Sequence, residues 1–303
     1  MTEPLRMGLV GAGPWAHLFT GPMLASSDDV EFTGIWSRRP EPAQELAAHH
    51  GVRAVAELTD LFTACDAVTF SVPPSVQADL AAQAAHAGLA VLLDKPVGAN
   101  VAEAEALAAA IDAAGVVSQV IFTNRYFDTT REFLKAASTF DAYGGRAAFF
   151  GNGSVPGTYF ATPWRMSEGA VLDLGPHVLD SLDAAFGRIV RIEAHGDPLR
   201  IVLLECEHEG GAVSQAALCA TTHQEGGLMV EMHGLAGRLA LDLTALSEER
   251  KAAEFATAQR VILAEFAECV RTGTSHALDV HRGVYLQRLI DDATQQLAIG
   301  DRR

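Results

Sequence analysis

Four short constellations in this chain have residue types and spacings suited to chemistry. The first is GLVGAGPWAHLF, which sets Gly11, Gly13 and Ala16 in a G-x-G-x-x-A pattern. Placed after a strand and opening a helix, such a turn cradles a pyrophosphate. Gly11 permits the turn, Gly13 lets the backbone approach, Ala16 keeps the helix close to the strand, and the helix N-terminus supplies amide donors. Pro14 and Trp15, inside the turn, are counted with it. The second constellation is Ser37-Arg38-Arg39, at the end of the next strand-like run. An acidic residue there would read the ribose 2′-hydroxyl of NAD, but Glu31 opens that strand and stands at the wrong end. Two guanidinium groups and a hydroxyl suit the 2′-phosphate of NADP, with NAD kept open and a solvated basic turn as the plain alternative. The third is Lys95, between the buried run LAVLLD and Pro96, at the carboxyl edge of a parallel sheet where ligands bind. By itself it reads as a surface lysine at a strand end. The fourth is Asp173 and His177, four apart, with Asp180 three further on.

Gly175-Pro176 reads as the first turn of the helix carrying the fourth group, where proline is tolerated. His177, Asp180 and Ser181 then share one face and Leu174, Val178 and Leu182 the packing face. The polar face is expected to look into the cleft between two domains; alone, the pair would be a helix-start aspartate and a satisfied core histidine. Together the four groups hold what interconverting an alcohol and a carbonyl requires: a base for the hydroxyl proton, a group to stabilise developing alkoxide charge, and a nicotinamide nearby.

The elements that must position these residues follow from apolar patterning. Strand-like RMGLVGA, VEFTGIWS, DAVTFSVP, LAVLLD and VVSQVIF alternate with helical PEPAQELAAHHG, AVAELTDLFTAC, SVQADLAAQAAHAG (capped by Ser75) and VAEAEALAAAIDAAG. This alternation predicts βαβ units, hence a doubly wound parallel sheet of Rossmann type. After Phe122 the pattern changes. A helix over 125–140 is followed by RAAFFGNGS, RIVRIEAHG, RIVLLECEH, AVSQAALCA, LMVEMHG and GRLALDL, with HVLDSLDAAFG as an intervening helix and a helical tail over 248–300. The expected whole is an α/β dinucleotide-binding domain over 1–122 and an α+β domain on a largely antiparallel open sheet over 123–303, for substrate binding and oligomerisation.

Composition narrows the partners. With 49% hydrophobic and 20% charged residues, the chain has the makings of a real core. A formal charge of −16 repels nucleic-acid backbones, and no basic amphipathic stretch points to a membrane surface. Cys65, Cys206, Cys219 and Cys269 form no C-x-x-C pair and read as small buried hydrophobes in a reducing compartment. The opening MTEPLRMGLVG lacks the layout of a secretory leader, so a cytoplasmic location is expected. His276 and His281 lack company at metal-ligand spacing, and no metal is expected.

At this point the chain resembles the Gfo/Idh/MocA oxidoreductases. The glycine turn comes first. SVPPSVQADLAAQAAHAGLAVLLDKP then resembles a stretch running from a Pro-Pro turn to Glu-Lys-Pro, with Asp94 in place of the glutamate. NRY at Asn124–Tyr126 resembles the segment opening the second domain. WRMSEGAVLDLGPHVLDSLDAAFG keeps Trp164, Arg165, Gly169, Asp173, Gly175, His177 and Asp180 of the family pattern. Glu168 stands where glycine is common, and Val76-Gln77 where relatives often carry histidine. The resemblance implies His177 as acid/base, Lys95 as the residue that orients the substrate and polarises its oxygen, and Asp173 as a substrate ligand or tuner. It also implies Asn124 and Arg165 at the substrate, and Pro73 and Pro96 beside the cofactor. The expected substrate is a sugar, cyclitol or keto-sugar, and the expected assembly a homodimer or homotetramer. Two other readings stay open: a cofactor-sensing regulator without catalysis, and redox-assisted cleavage of a glycoside.

Overall fold

A computed structural model of the chain describes residues 3–223 and 226–300. The chain forms two compact units. One runs to Ile121 and takes in Ala256–Tyr285; the other holds Phe122–Phe255 and the chain from Leu286 onward.

The first unit is built on β1 (Leu5–Val10), β2 (Val30–Trp36), β3 (Arg53–Ala54), β4 (Ala67–Phe70), β5 (Ala90–Asp94) and β6 (Ser118–Ile121). They form one parallel sheet in the order β3-β2-β1-β4-β5-β6. Crossover helices cover both faces of such a sheet, which is why β4, β5 and β6 are buried almost residue for residue rather than alternating. The order reverses at β1, whose neighbours are β2 and β4, and the crevice at that reversal is where doubly wound folds place ligands. Between β1 and β2 the chain winds through a π-helical segment, Ala16–Thr20, into α1 (Gly21–Ala25). Pro22 has no N–H to give to the carbonyl four residues back, and the helix widens there, with the Gly21 N–H reaching Ala16 O. The other crossovers are α2 (Pro40–His50), α3 (Leu58–Ala64), α4 (Pro74–His86) and α5 (Val101–Ala114).

Two local expectations are corrected here. Ser75 does not cap α4: Pro73 is the N-cap and Pro74 the first helical residue, so Ser75 lies inside the first turn. The run AVAELTDLFTAC is not one helix either. Its first residue, Ala54, belongs to the two-residue strand β3, which pairs Arg53 and Ala54 with Gly34 and Ile35 of β2, and only Leu58–Ala64 is helical.

The second unit opens with a 3-10 turn, Thr123–Tyr126, and α6 (Asp128–Ala137). Its sheet comprises β7 (Ala142–Phe150), β8 (Ile189–Gly196), β9 (Val202–His208), β10 (Val213–Cys219), β11 (Gly227–Gly234) and β12 (Gly237–Asp242) in the order β12-β11-β7-β10-β9-β8. Every pair is antiparallel except β7 with β10. Strand β9 shows the pattern of a half-covered sheet: Val202, Leu204, Cys206 and His208 are buried, Leu203, Glu205 and Glu207 exposed. α7 (Pro163–Phe186) packs against this sheet, and α8 (Glu248–Thr272) and α9 (Val280–Gly300) complete the chain.

α7 differs from expectation. It begins well before Asp173 and is interrupted at Gly169 (φ 75°, ψ −161°), so Pro176 lies in the interior of the segment that follows rather than in its first turn. The break is fixed by packing: a Cβ on Gly169 would lie 2.2 Å from the Pro198 carbonyl, and the Ala170 N–H donates to that same carbonyl at 3.0 Å. All four cysteines are buried and unbridged. Among the described residues, no helix is long and apolar enough to cross a membrane.

Candidate active site

The carboxyl ends of β1, β2, β4 and β5 carry the first group of site residues. Gly11 leaves β1 with its N–H on Trp36 O at 2.8 Å. Its φ is 113°, and a Cβ there would come within 2.3 Å of Ser71 O at the end of β4. The fold itself therefore demands glycine at this position. Gly13 is different. Its φ is not in the left-handed region, and a Cβ would meet nothing nearer than Ser71 O at 3.8 Å. Pro14 starts the helix, Trp15 stacks on Phe19 with ring centroids 4.7 Å apart, and Ala16 is fully buried. Thr20, fully buried, ties this helix to the end of β4 through a 2.9 Å Oγ1–Oγ contact with Ser71. Exposed Pro73 follows as the N-cap of α4.

At the end of β2, the Ser37 hydroxyl donates to Arg39 O at 2.5 Å and closes a tight turn. Arg38 and Arg39 are exposed, and neither makes an ion pair among the described residues. Glu31 lies opposite Arg6 at the far end of the strand.

At the end of β5, Lys95 is half-buried, followed by a cis Lys95–Pro96 peptide. Its N–H donates to Asp94 Oδ1 at 2.8 Å. The shorter carboxylate at this place thus turns back on the chain that carries the lysine. Gln77, buried in α4, bonds this same turn from the side.

The second unit holds the other group on α7. Asp173 is 4% exposed and accepts from Arg165 Nε at 3.2 Å. The Arg165 guanidinium also donates to Phe160 O and lies over the Trp164 ring at 4.6 Å. It is therefore oriented by a carboxylate, a carbonyl and an aromatic face at once. His177, one helical turn beyond Asp173, is half-buried with the Phe149 ring 5.9 Å away. The expected polar face is not open as a whole. Asp180 is 1% exposed and held by Arg125 Nη1 at 3.1 Å to both oxygens, while the Ser181 hydroxyl turns inward to His177 O at 2.8 Å. Asn124, next to Arg125 on the 3-10 turn, is half-buried.

Three participants escape a reading of the sequence: Gln77 beneath Lys95, Arg165 as partner of Asp173, and Arg125 as partner of Asp180. Each pairing links residues from different elements or turns, and only the departure at Gln77 gave a signal. Among the described residues, no three His, Cys, Asp or Glu side chains are grouped to hold a metal ion.

Residues 5–122 match the family model for the Gfo/Idh/MocA oxidoreductase family with NAD-binding Rossmann fold. Over that stretch the chain is similar to the Gfo/Idh/MocA family. It is 26% identical over 208 residues to the scyllo-inositol 2-dehydrogenase (NADP(+)) IolU of Bacillus subtilis, covering 63% of this chain and 61% of that protein. It is also 26% identical over 193 residues to IolW of the same organism, covering 61% of this chain and 52% of that one. The matched stretches thus span between about half and three-fifths of these curated relatives. Among solved structures, GenD2 from gentamicin A biosynthesis, in complex with NAD, superposes with a TM-score of 0.86 at 21% identity over 99% of this chain and 96% of that one.

The residues of this chain fit a nicotinamide dinucleotide. The test lies at Gly13, where the protein leaves room for a side chain yet has none, so a cradle that a Cβ would fill stays open at a helix N-terminus. Gly11, Gly13, Pro14 and Trp15 would hold the pyrophosphate, Ser37, Arg38 and Arg39 the adenosine ribose, and Pro73, Lys95 and Pro96 would border the nicotinamide.

Proposed function

We propose that this protein is an NADP-preferring oxidoreductase that interconverts a secondary alcohol and a ketone on a sugar, cyclitol or keto-sugar. The observation that carries the proposal is the gathering, along one parallel-sheet edge, of an open glycine cradle, two exposed guanidinium groups and a lysine. The names of the two Bacillus subtilis relatives, NADP-dependent dehydrogenases of scyllo-inositol, support both the cofactor and the substrate class.

When bound, the nicotinamide supplies the hydride acceptor or donor. The chain's own residues do the rest. The Lys95 ammonium draws electron density toward the substrate oxygen and steadies the alkoxide as it forms. His177 takes the hydroxyl proton in oxidation and returns it in reduction. Asp173, with its carboxylate held by Arg165, binds a substrate hydroxyl or sets the state of the pair, and Arg165 and Asn124 contribute further polar contacts. The second unit's sheet leaves one face with Leu203, Glu205, Glu207 and Val213 exposed, and on that sheet we place assembly as a homodimer or homotetramer.

The test is nicotinamide absorbance in the purified protein mixed with NADP or NAD and a panel of inositols, sugars and keto-sugars. The proposal expects net formation or consumption of NADPH with at least one polyol. Tight NADPH binding without turnover on any of them would make the protein a cofactor sensor. Cleavage of a glycoside with no net change in cofactor would make it a redox-assisted lyase.

A further inference from the structure

Gln77 is 1% exposed, and its amide is fully engaged. Oε1 accepts from the Asp94 N–H at 2.8 Å, and Nε2 donates to the carbonyls of Asp94 at 2.8 Å and Pro96 at 3.1 Å. The sheet explains why a side chain is needed here. β6 follows β5 as far as Asp94, whereas β4 pairs with it only to Leu92, opposite Thr69. Alternate residues of a strand turn their backbone groups to opposite neighbours, and Val91 turns toward the β6 side, its N–H on Val117 O at 2.9 Å. Asp94 therefore faces the side on which β4 has already ended. Gln77 reaches in from α4, stands in for the missing strand, and holds the residues on both sides of Lys95.

We infer that Gln77 is the positioning residue for Lys95, fixing the direction in which the ammonium group leaves the sheet edge. The inference rests on the reading of Lys95 as the group that polarises the substrate oxygen. An apolar side chain of the same length would remove these three hydrogen bonds and free the 94–96 turn to shift. Ångström-scale misplacement at a reacting centre costs about 100-fold in rate.

The chain has three lysines, Lys95, Lys135 and Lys251. Labelling the full protein with [ε-13C]lysine therefore gives three methylene signals, and the missing one in Lys95→Met assigns Lys95 without any substrate. In Gln77→Met the Lys95 signal is expected to move and its two methylene protons to merge, while Lys135 and Lys251 stay in place. Turnover should fall by roughly 10- to 100-fold with NADPH affinity unchanged, and Lys95→Met should add no Gln77-dependent loss. Gln77→Glu serves if the Met variant does not fold. Its carboxylate accepts from Asp94 but faces two carbonyls, and protonation restores one donor, so turnover should recover as pH falls. An unmoved Lys95 signal in folded Gln77→Met, losses that multiply with those of Lys95→Met, or a Gln77→Glu profile parallel to the unmodified one would each overturn the inference. Full activity in Lys95→Met alone would instead refute the catalytic reading of Lys95, and the labelling result would still decide whether Gln77 places it.

Discussion

Gly11 and Gly13 stand two apart in one turn and answer to different demands. Gly11 has a positive φ and no space for a Cβ; Gly13 has neither constraint. Gly11→Ala should therefore lose folded protein, read by circular dichroism and yield. Gly13→Val should fold with a near-normal melting temperature yet bind NADPH far more weakly, because the branched side chain enters the cradle. Normal NADPH affinity in folded Gly13→Val would show that the turn serves the fold alone. Arg38 and Arg39 extend the argument to cofactor choice. Replacing both with Ala should weaken NADPH binding by about 2–4 kcal/mol, from charge-assisted hydrogen bonds of about 1.5–3 kcal/mol each that do not simply add. NADH binding should barely change, and equal affinity for the two cofactors in the unmodified protein would contradict the assignment. His208 carries a prediction of another kind. It is 2% exposed, one ring nitrogen on Gly187 O at 2.7 Å and the other on Ser214 Oγ at 2.8 Å, and burial holds its pKa below the ordinary histidine value. The unfolded chain then binds a proton that the folded one refuses. Stability contributed by neutral His208 is intact above about pH 6.5 and declines as pH falls below it. Melting temperature should drop from pH 7.5 to pH 5.5, with a flatter profile in His208→Gln; identical profiles would remove His208 as the cause.

At the scale of elements, α7 decides how the second group of site residues is presented. Gly169 breaks the helix, and the segment after it carries Asp173 and His177 on successive turns. Gly169→Ala should destabilise the protein by at least the roughly 1–3 kcal/mol that a strained backbone position costs, seen as a lower melting temperature. An unchanged melting temperature would mean that the break is not enforced by the Pro198 carbonyl. This helix also shows what a sequence conveys and what it withholds. The Rossmann half was legible because periodic apolar runs and the glycine turn are local signals, and the resulting strand-to-helix alternation leaves few topologies. The spacing of Asp173 and His177 put them one turn apart on a helix, while the roles proposed for them came from the family resemblance and not from the spacing. The start of α7 was misread because Gly175-Pro176 is a common way to open a helix, whereas the actual break depends on a carbonyl from the loop after β8. Gln77, Arg165 and Arg125 act by pairing over 17 or 19, 8 and 55 residues of sequence, and no local pattern encodes which partner a buried amide or guanidinium will find.

For the molecule as a whole, a charge of −16 leaves the Ser37-Arg38-Arg39 turn as a local exception, which is what a phosphate-bearing cofactor rather than nucleic acid would select. The central proposal is that Lys95 and His177 are both catalytic, Lys95 in polarising the substrate oxygen and His177 in proton transfer. Its most direct test is the rate of hydride transfer in a single turnover, read by nicotinamide absorbance, for the unmodified protein, Lys95→Met, His177→Asn and the double variant, with whichever polyol the panel yields. His177→Asn should keep its NADPH affinity and lose about 10²–10⁴ in rate, and the double variant should lose much less than the product of the two single losses. Strictly multiplicative losses would mean that the two residues work independently, and a fully active His177→Asn protein would contradict the account.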